Sequence, residues 1–151
     1  MERKTSIAVM GAGDYATRYH IPHLAANPRA DLVALCSRTQ ESVARSAARF
    51  GVRGTYTDYR QLLDRERLEA VVVSSPHAVH YEQCRAALRR GLHVLVDKHM
   101  VMRCAEWREL MATAAERGLV LMPALNRHLD SGNLRARDLI RSGEMGEVYF
   151  P

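Results

Sequence analysis

Short apolar runs recur along the chain at Ile7 to Met10, Leu32 to Cys36, Ala70 to Val73, His93 to Val96 and Leu119 to Leu125. Unbroken apolar character, as opposed to strict alternation, is what a strand needs when both faces of its sheet are covered, as in parallel α/β folds. Between the runs the apolar period becomes helical. Val43, Ala47 and Phe50 share one face, Tyr81, Cys84 and Leu88 another, and Trp107, Leu110, Met111, Ala114 and Ala115 a third. Gly51, Gly91 and Gly118 each follow one of these stretches, where a left-handed C-cap without a Cβ ends a helix. Thr57-Asp58 ahead of Tyr59 to Leu63, and Asp130-Ser131 ahead of Leu134, Leu139 and Ile140, have the composition of capped helix starts. The alternation predicts an α/β fold, a doubly wound parallel sheet.

Length changes this picture only by bounding it, since 151 residues with 47% hydrophobic content suit one sizeable core and a short extension. The pattern shifts after Leu125. We expect residues 1–125 to form one domain and residues 126–151 to hold a connecting helix and, at Val148-Tyr149-Phe150, the first strand of a substrate domain of which only the start is present. No apolar run reaches the roughly 20 residues of a membrane-spanning helix, and Met1-Glu2-Arg3-Lys4 leads directly into the first strand, so the chain reads as soluble and untargeted. Cys36, Cys84 and Cys104 are odd in number, widely spaced and outside any C-x-x-C pair, which fits a reduced, cytoplasmic setting. The formal charge of +5 raises nucleic acid as a partner. The arginines are scattered and interleaved with Glu and Asp, which argues against it. Arginine accounts for 20 of the 22 Lys and Arg residues, so each lysine stands out.

The segment Ile7-Ala8-Val9-Met10-Gly11-Ala12-Gly13-Asp14-Tyr15-Ala16 places G-x-G-x-x-A directly after the first strand and at the mouth of the first helix. This is the context a dinucleotide-binding, Rossmann-type turn requires. Gly11 permits the tight turn, Gly13 lets the backbone approach a pyrophosphate, and Ala16 keeps helix and strand close. The amides opening the helix, around Asp14 and Tyr15, then face the negative charge. Two glycines in such a turn also serve the turn alone. The second strand ends in Cys36-Ser37-Arg38-Thr39, where an acidic residue would accept a hydrogen bond from the ribose 2′-hydroxyl and repel a 2′-phosphate. Ser37 beside Arg38 does the reverse, which favours NADP(H) over NAD(H). Arg38 is also placed to lie over an adenine face, or simply to be solvated.

Two more segments follow apolar strands at the ends where doubly wound sheets bind ligands: Ser74-Ser75-Pro76-His77-Ala78-Val79-His80 and Val96-Asp97-Lys98-His99. With these, the chain resembles the glucose-fructose oxidoreductase and inositol dehydrogenase family, also called Gfo/Idh/MocA, over essentially its whole length. The family order is a glycine turn, a Ser/Thr-Pro-x-x-x-His turn, Ala-Leu-x-x-Gly-x-His-Val and Glu-Lys-Pro. The matching residues are Pro76, His80, Ala87-Leu88-Arg89-Arg90-Gly91-Leu92-His93-Val94 and Lys98, with Asn126-Arg127-His128 and Ser142-Gly143-Glu144-Met145-Gly146-Glu147-Val148 similar to the crossing into the family's second domain.

The resemblance implies NAD(P)-dependent hydride transfer on a sugar, cyclitol or related hydroxyl or carbonyl substrate, with Lys98 as the catalytic lysine near the nicotinamide. A compact ammonium suits polarising an oxygen, and its proton is easier to give up than that of arginine. Ser75, Pro76, His80 and Asp97 join the glycine turn, Ser37 and Arg38 as expected cofactor contacts, although His80 reads equally as a helix-start cap. The second domain of the family covers the nicotinamide and supplies an acidic residue and a histidine for proton transfer. Two departures stand out: Asp97 replaces Glu and His99 replaces Pro, which removes the backbone restriction on Lys98. A non-catalytic NADPH sensor or interaction module is the alternative these departures leave open. His20 with His23, and His77 with His80, lack the Cys, Asp or Glu partners that would complete a metal site. The sequence leaves oligomerisation open.

Overall fold

In the chain's computed structural model, which describes residues 3–149, the first strand β1 (Thr5–Met10) lies inside the sheet and pairs in parallel with β2 (Ala30–Cys36) on one side and β4 (Ala70–Val73) on the other. The sheet is completed by β3 (Gly54–Tyr56) beyond β2, and by β5 (His93–Val96) and β6 (Leu121–Pro123) beyond β4, giving the order β3-β2-β1-β4-β5-β6 with every pairing parallel. Helices α1 (Asp14–Arg18), α2 (His20–Ala26), α3 (Gln40–Phe50), α4 (Tyr59–Arg65), α5 (His80–Arg89) and α6 (Cys104–Glu116) make the crossovers, and α7 (Ser131–Ser142) follows β6. Short 3₁₀ turns occupy His77–Val79 and Asn126–Leu129.

The period of two along each strand divides the core. Ala8 and Met10 of β1, with Val71 and Val73 of β4, pack under Leu62, Leu88 and Leu110 from α4, α5 and α6. Val9, Leu35 and Val72 point the other way and meet Ala16, Ile21, Val43 and Ala47 from α1, α2 and α3. Both faces are therefore covered, which is why the strands read as continuous apolar runs. The winding reverses between β1 and β4, and the loops leaving those two strands diverge there to open a crevice.

The expected punctuation is present. Gly51, Gly91 and Gly118 have φ of 68°, 78° and 63°, Asp58 caps α4 through the Arg60 amide, and Asp130 caps α7 through the amides of Gly132 and Asn133. Four details differ from the sequence expectation. The short edge strand β3 carries no apolar run and escapes a hydrophobic scan. Only Leu121–Pro123 of the Leu119 to Leu125 run is strand, because an edge strand has a partner on one side alone. On α6 just Leu110 and Ala114 are buried, whereas Met111 and Ala115 are exposed, since a helix at the margin of the sheet covers a narrow strip. Val148 and Tyr149 are not in a strand, and Phe150 lies outside the described residues. Among the described residues no strand pairs with them. Among the described residues no helix is long and apolar enough to cross a membrane.

Candidate functional site

The turn from β1 to α1 is built on two glycines with different tasks. Gly11 has φ +93°, and a Cβ there would stand 2.3 Å from the Ser75 amide nitrogen, so it lets the β1 and β4 loops touch. Gly13 is extended, at φ −84° and ψ −167°, and a Cβ there would enter open space with nothing within 4 Å. Its lack of a side chain is unexplained by packing and leaves a cradle in front of α1. The amides of Gly11 and Ala12 both donate to the Cys36 carbonyl, at 2.9 and 2.8 Å, which locks the turn against the end of β2. No side chain caps α1, so its leading amides at Asp14 and Tyr15 remain available to an anion. Ala16 is fully buried and keeps α1 close to the sheet.

A cleft of about 350 Å³ runs from Gly11 and Gly13 across Ser37, Arg38, Thr39 and Ser42 to Ser74, Ser75 and Pro76. Ser37 ends β2 with its amide on the Tyr56 carbonyl (3.0 Å) and its hydroxyl 3.3 Å from that of Ser42. Thr39 caps α3 by accepting from the Ser42 amide. Arg38 is exposed and forms no ion pair with a described residue. The wall of this cleft thus offers hydroxyls and a guanidinium, with no carboxylate.

The cleft continues past Ser74 and Ser75 into a second cavity of about 280 Å³, lined also by Tyr15, His77, Asp97 and Lys98. Asp97 follows β5 with its amide on the Val73 carbonyl. One carboxylate oxygen is 2.8 Å from His20 Nε2 and the other accepts from the Ser74 hydroxyl. Burial pushes the Asp97 carboxyl up, but the hydrogen bonds from His20 and Ser74 and the His20 charge outweigh it, holding the group below the usual carboxylate value. Lys98 is exposed beside it, and the Lys98–His99 peptide bond is cis. Lys98 also reaches a wider opening of about 510 Å³ shared with Tyr15, Tyr19, Asn126 and Arg127.

The structure brings together Gly11, Gly13, Ser37, Arg38, Ser75 and Pro76 in one cleft and Tyr15, Asp97 and Lys98 in the next. The side chains of three expected contacts lie off the lining of both cavities. Ala12 is buried with its amide already committed to Cys36, so it shapes the turn without lining the cleft. Asp14 lines neither cavity and contributes its backbone position at the helix start. His80 is fully buried behind the wall, its Nδ1 2.9 Å from the His99 carbonyl and its Nε2 2.6 Å from the Ser75 carbonyl. It ties the loops after β4 and β5 together.

His20 escapes sequence reasoning because it lies 77 positions from Asp97, and only folding places them side by side. Gln83 is also missed, although its side chain accepts from the Ser75 hydroxyl at 2.5 Å. Burial raises the Cys36 thiol to about 11, with the Asp58 charge adding to it, and the Cys84 thiol to about 12, so neither serves as a nucleophile near neutrality.

Residues 5–125 match the model of an oxidoreductase family with an NAD-binding Rossmann fold, Gfo/Idh/MocA. Over 142 residues the chain is 39% identical to a dTDP-3,4-didehydro-2,6-dideoxy-alpha-D-glucose 3-reductase of Streptomyces antibioticus, covering 93% of this chain and 42% of that protein. Among solved structures it is similar to a point mutant of a 3-ketoreductase from Actinomadura kijaniata in complex with TDP-benzene and NADP, with TM-score 0.90, 32% identity and coverage of 97% of this chain and 45% of the other. The backbone is also similar, with TM-score 0.88 at 22% identity, to scyllo-inositol dehydrogenase from Lactobacillus casei with bound NAD(H) and scyllo-inositol, covering 96% and 43% of the two chains. That last likeness concerns the fold alone. The chain spans less than half the length of these proteins.

Proposed function

The chain belongs to the Gfo/Idh/MocA oxidoreductase family, and from that premise we propose that it is the NADP(H)-holding part of an oxidoreductase acting on a sugar, cyclitol or related hydroxyl or carbonyl compound. The observation that carries this is the empty volume in front of Gly13, where a Cβ would meet nothing within 4 Å, facing the uncapped start of α1. A diphosphate fits there because amides and helix dipole favour negative charge and no side chain blocks the approach.

In this reading Gly11, Gly13 and the amides of Asp14 and Tyr15 hold the diphosphate, with Ala12 fixing the turn behind them. Ser37 and Arg38 receive the adenosine end, and Ser75 and Pro76 form the facing wall. Arg38 pairs with a 2′-phosphate, and the absence of a carboxylate along that wall leaves such a phosphate unopposed. Tyr15, Asp97 and Lys98 frame the nicotinamide end. Bound there, the nicotinamide supplies or accepts the hydride. Lys98 places its ammonium against the substrate oxygen and stabilises the charge that develops on it. Asp97 stays ionised and orients the neighbouring backbone. The similar reductase acts on a dTDP-activated deoxy sugar and the similar 3-ketoreductase binds NADP. These support a sugar-like substrate and the 2′-phosphate cofactor. We read residues 126–151 as the beginning of a second unit that closes over Lys98, and the chain as cytoplasmic, with neither nucleic acid nor membrane as a partner.

The test is titration of the purified chain with NADPH and NADH, followed by nicotinamide fluorescence, in parent and Ser37→Asp. Tighter NADPH binding by about tenfold or more in the parent is expected, with the order reversed by the new carboxylate. Preference for NADH in the parent overturns the cofactor choice, and no binding of either overturns the reading.

A further inference from the structure

Three elements converge on one carboxylate. His20 opens α2, Ser74 follows β4 and Asp97 follows β5, and the two Asp97 oxygens are taken separately by His20 and Ser74. The His20 and Asp97 side chains are only 15% and 11% exposed, so this is an interior contact. Lys98, the next residue, lines the same cavity as Asp97 and Ser74, yet has no ion-pair partner among the described residues. An exposed ammonium on the same cavity wall as a carboxylate is drawn to pair with it, by a modest amount because water screens it.

We infer that His20 and Ser74 are positioning residues that hold the Asp97 carboxylate away from Lys98 and so keep the Lys98 ammonium free to meet a substrate oxygen. The inference rests on the proposed role of Lys98. Each oxygen of Asp97 already has a donor, so turning toward Lys98 would break a hydrogen bond. His80 cannot substitute for His20, because both of its ring nitrogens face carbonyls. The other titratable groups around His20 are Tyr15, with ring centroids 5.6 Å apart, and Tyr19 and His23, which share a cavity with it. None of these brings a second carboxylate. Removing His20 leaves one Asp97 oxygen without a donor, and the cation on the same cavity wall is Lys98. An ammonium so paired gives up its proton less readily and is less reactive as an amine.

The chain contains only two lysines, Lys4 and Lys98, so amine labelling can be followed residue by residue. The experiment is trinitrobenzenesulfonate labelling at a fixed, mildly alkaline pH without cofactor, read by peptide mass spectrometry as the Lys98 to Lys4 rate ratio. His20→Ala is expected to lower the ratio about threefold or more through the added pairing. His20→Gln, which keeps an N–H in place, stays near the parent. The double variant His20→Ala with Asp97→Asn returns the ratio at least to the parent value, which general damage to the fold would not do. Should His20→Ala not fold, Ser74→Ala carries the same contrast by freeing the other oxygen. An unchanged ratio in the variant that folds, or a low ratio persisting after Asp97→Asn is added, overturns the inference. Labelling is independent of cofactor, so its failure is separate from a failure to bind NADPH.

Discussion

Gly11 and Gly13 are two positions apart and fail differently when given a methyl group. Gly11→Ala drives a Cβ into the Ser75 backbone at a positive φ, so it costs stability, on the order of 3 kcal/mol by urea unfolding. Gly13→Ala adds its Cβ at a negative φ into open space, so the melting temperature holds while NADPH affinity falls about tenfold or more as the cradle fills. A Gly13→Ala variant that binds as the parent does would remove the diphosphate from this corner. Asp97 makes a pH prediction of the same grain. Its carboxyl is held below the ordinary 3.8, so its contribution is complete above that value and is lost as pH falls through the lower one. Thermal melts from neutrality downward should show an acid limb starting near pH 4 that is shallower in Asp97→Asn.

At the scale of elements, the crevice is held open by the loops after β1, β4 and β5, and buried polar side chains fix their spacing. His80 enters from the first turn of α5 and joins the Ser75 and His99 carbonyls, 24 residues apart in sequence (99 − 75), in one linkage. His80→Ala removes both hydrogen bonds and leaves a void in a fully buried place, for an expected loss of about 2–4 kcal/mol by denaturant unfolding. Loosening of the Lys98 loop should appear with it as faster amide exchange around residues 97–100. A loss below about 0.5 kcal/mol would show that the two loops hold their positions without it.

For the whole molecule, the two cores are closed by α1 to α6, and α7 adds no buried side chain to either. Removing residues 126–151 should therefore shift the melting temperature by no more than about 2 °C and leave NADPH affinity unchanged, since the cleft of Gly11, Gly13, Ser37 and Arg38 contains none of them. Collapse of the fold on that deletion would place the boundary elsewhere.

The inner strands of the sheet were legible in the sequence because burial on both faces writes itself into them: Ile7 to Met10, Ala70 to Val73 and, after His93, Val94 to Val96 are unbroken apolar runs, whereas the edge strand β3 has none. The phosphate turn was legible for a related reason, since a backbone without Cβ at Gly11 and Gly13 can be supplied by one residue type only. What the tertiary structure alone decided lies across the chain and not along it. Sequence order places His80 at a helix start but is silent about the two carbonyls from different loops that enclose it, and nothing near His20 announces a carboxylate 77 residues away. Local pattern records which face a residue shows to solvent or core, whereas the partners it meets there depend on how distant strands are ordered in the sheet.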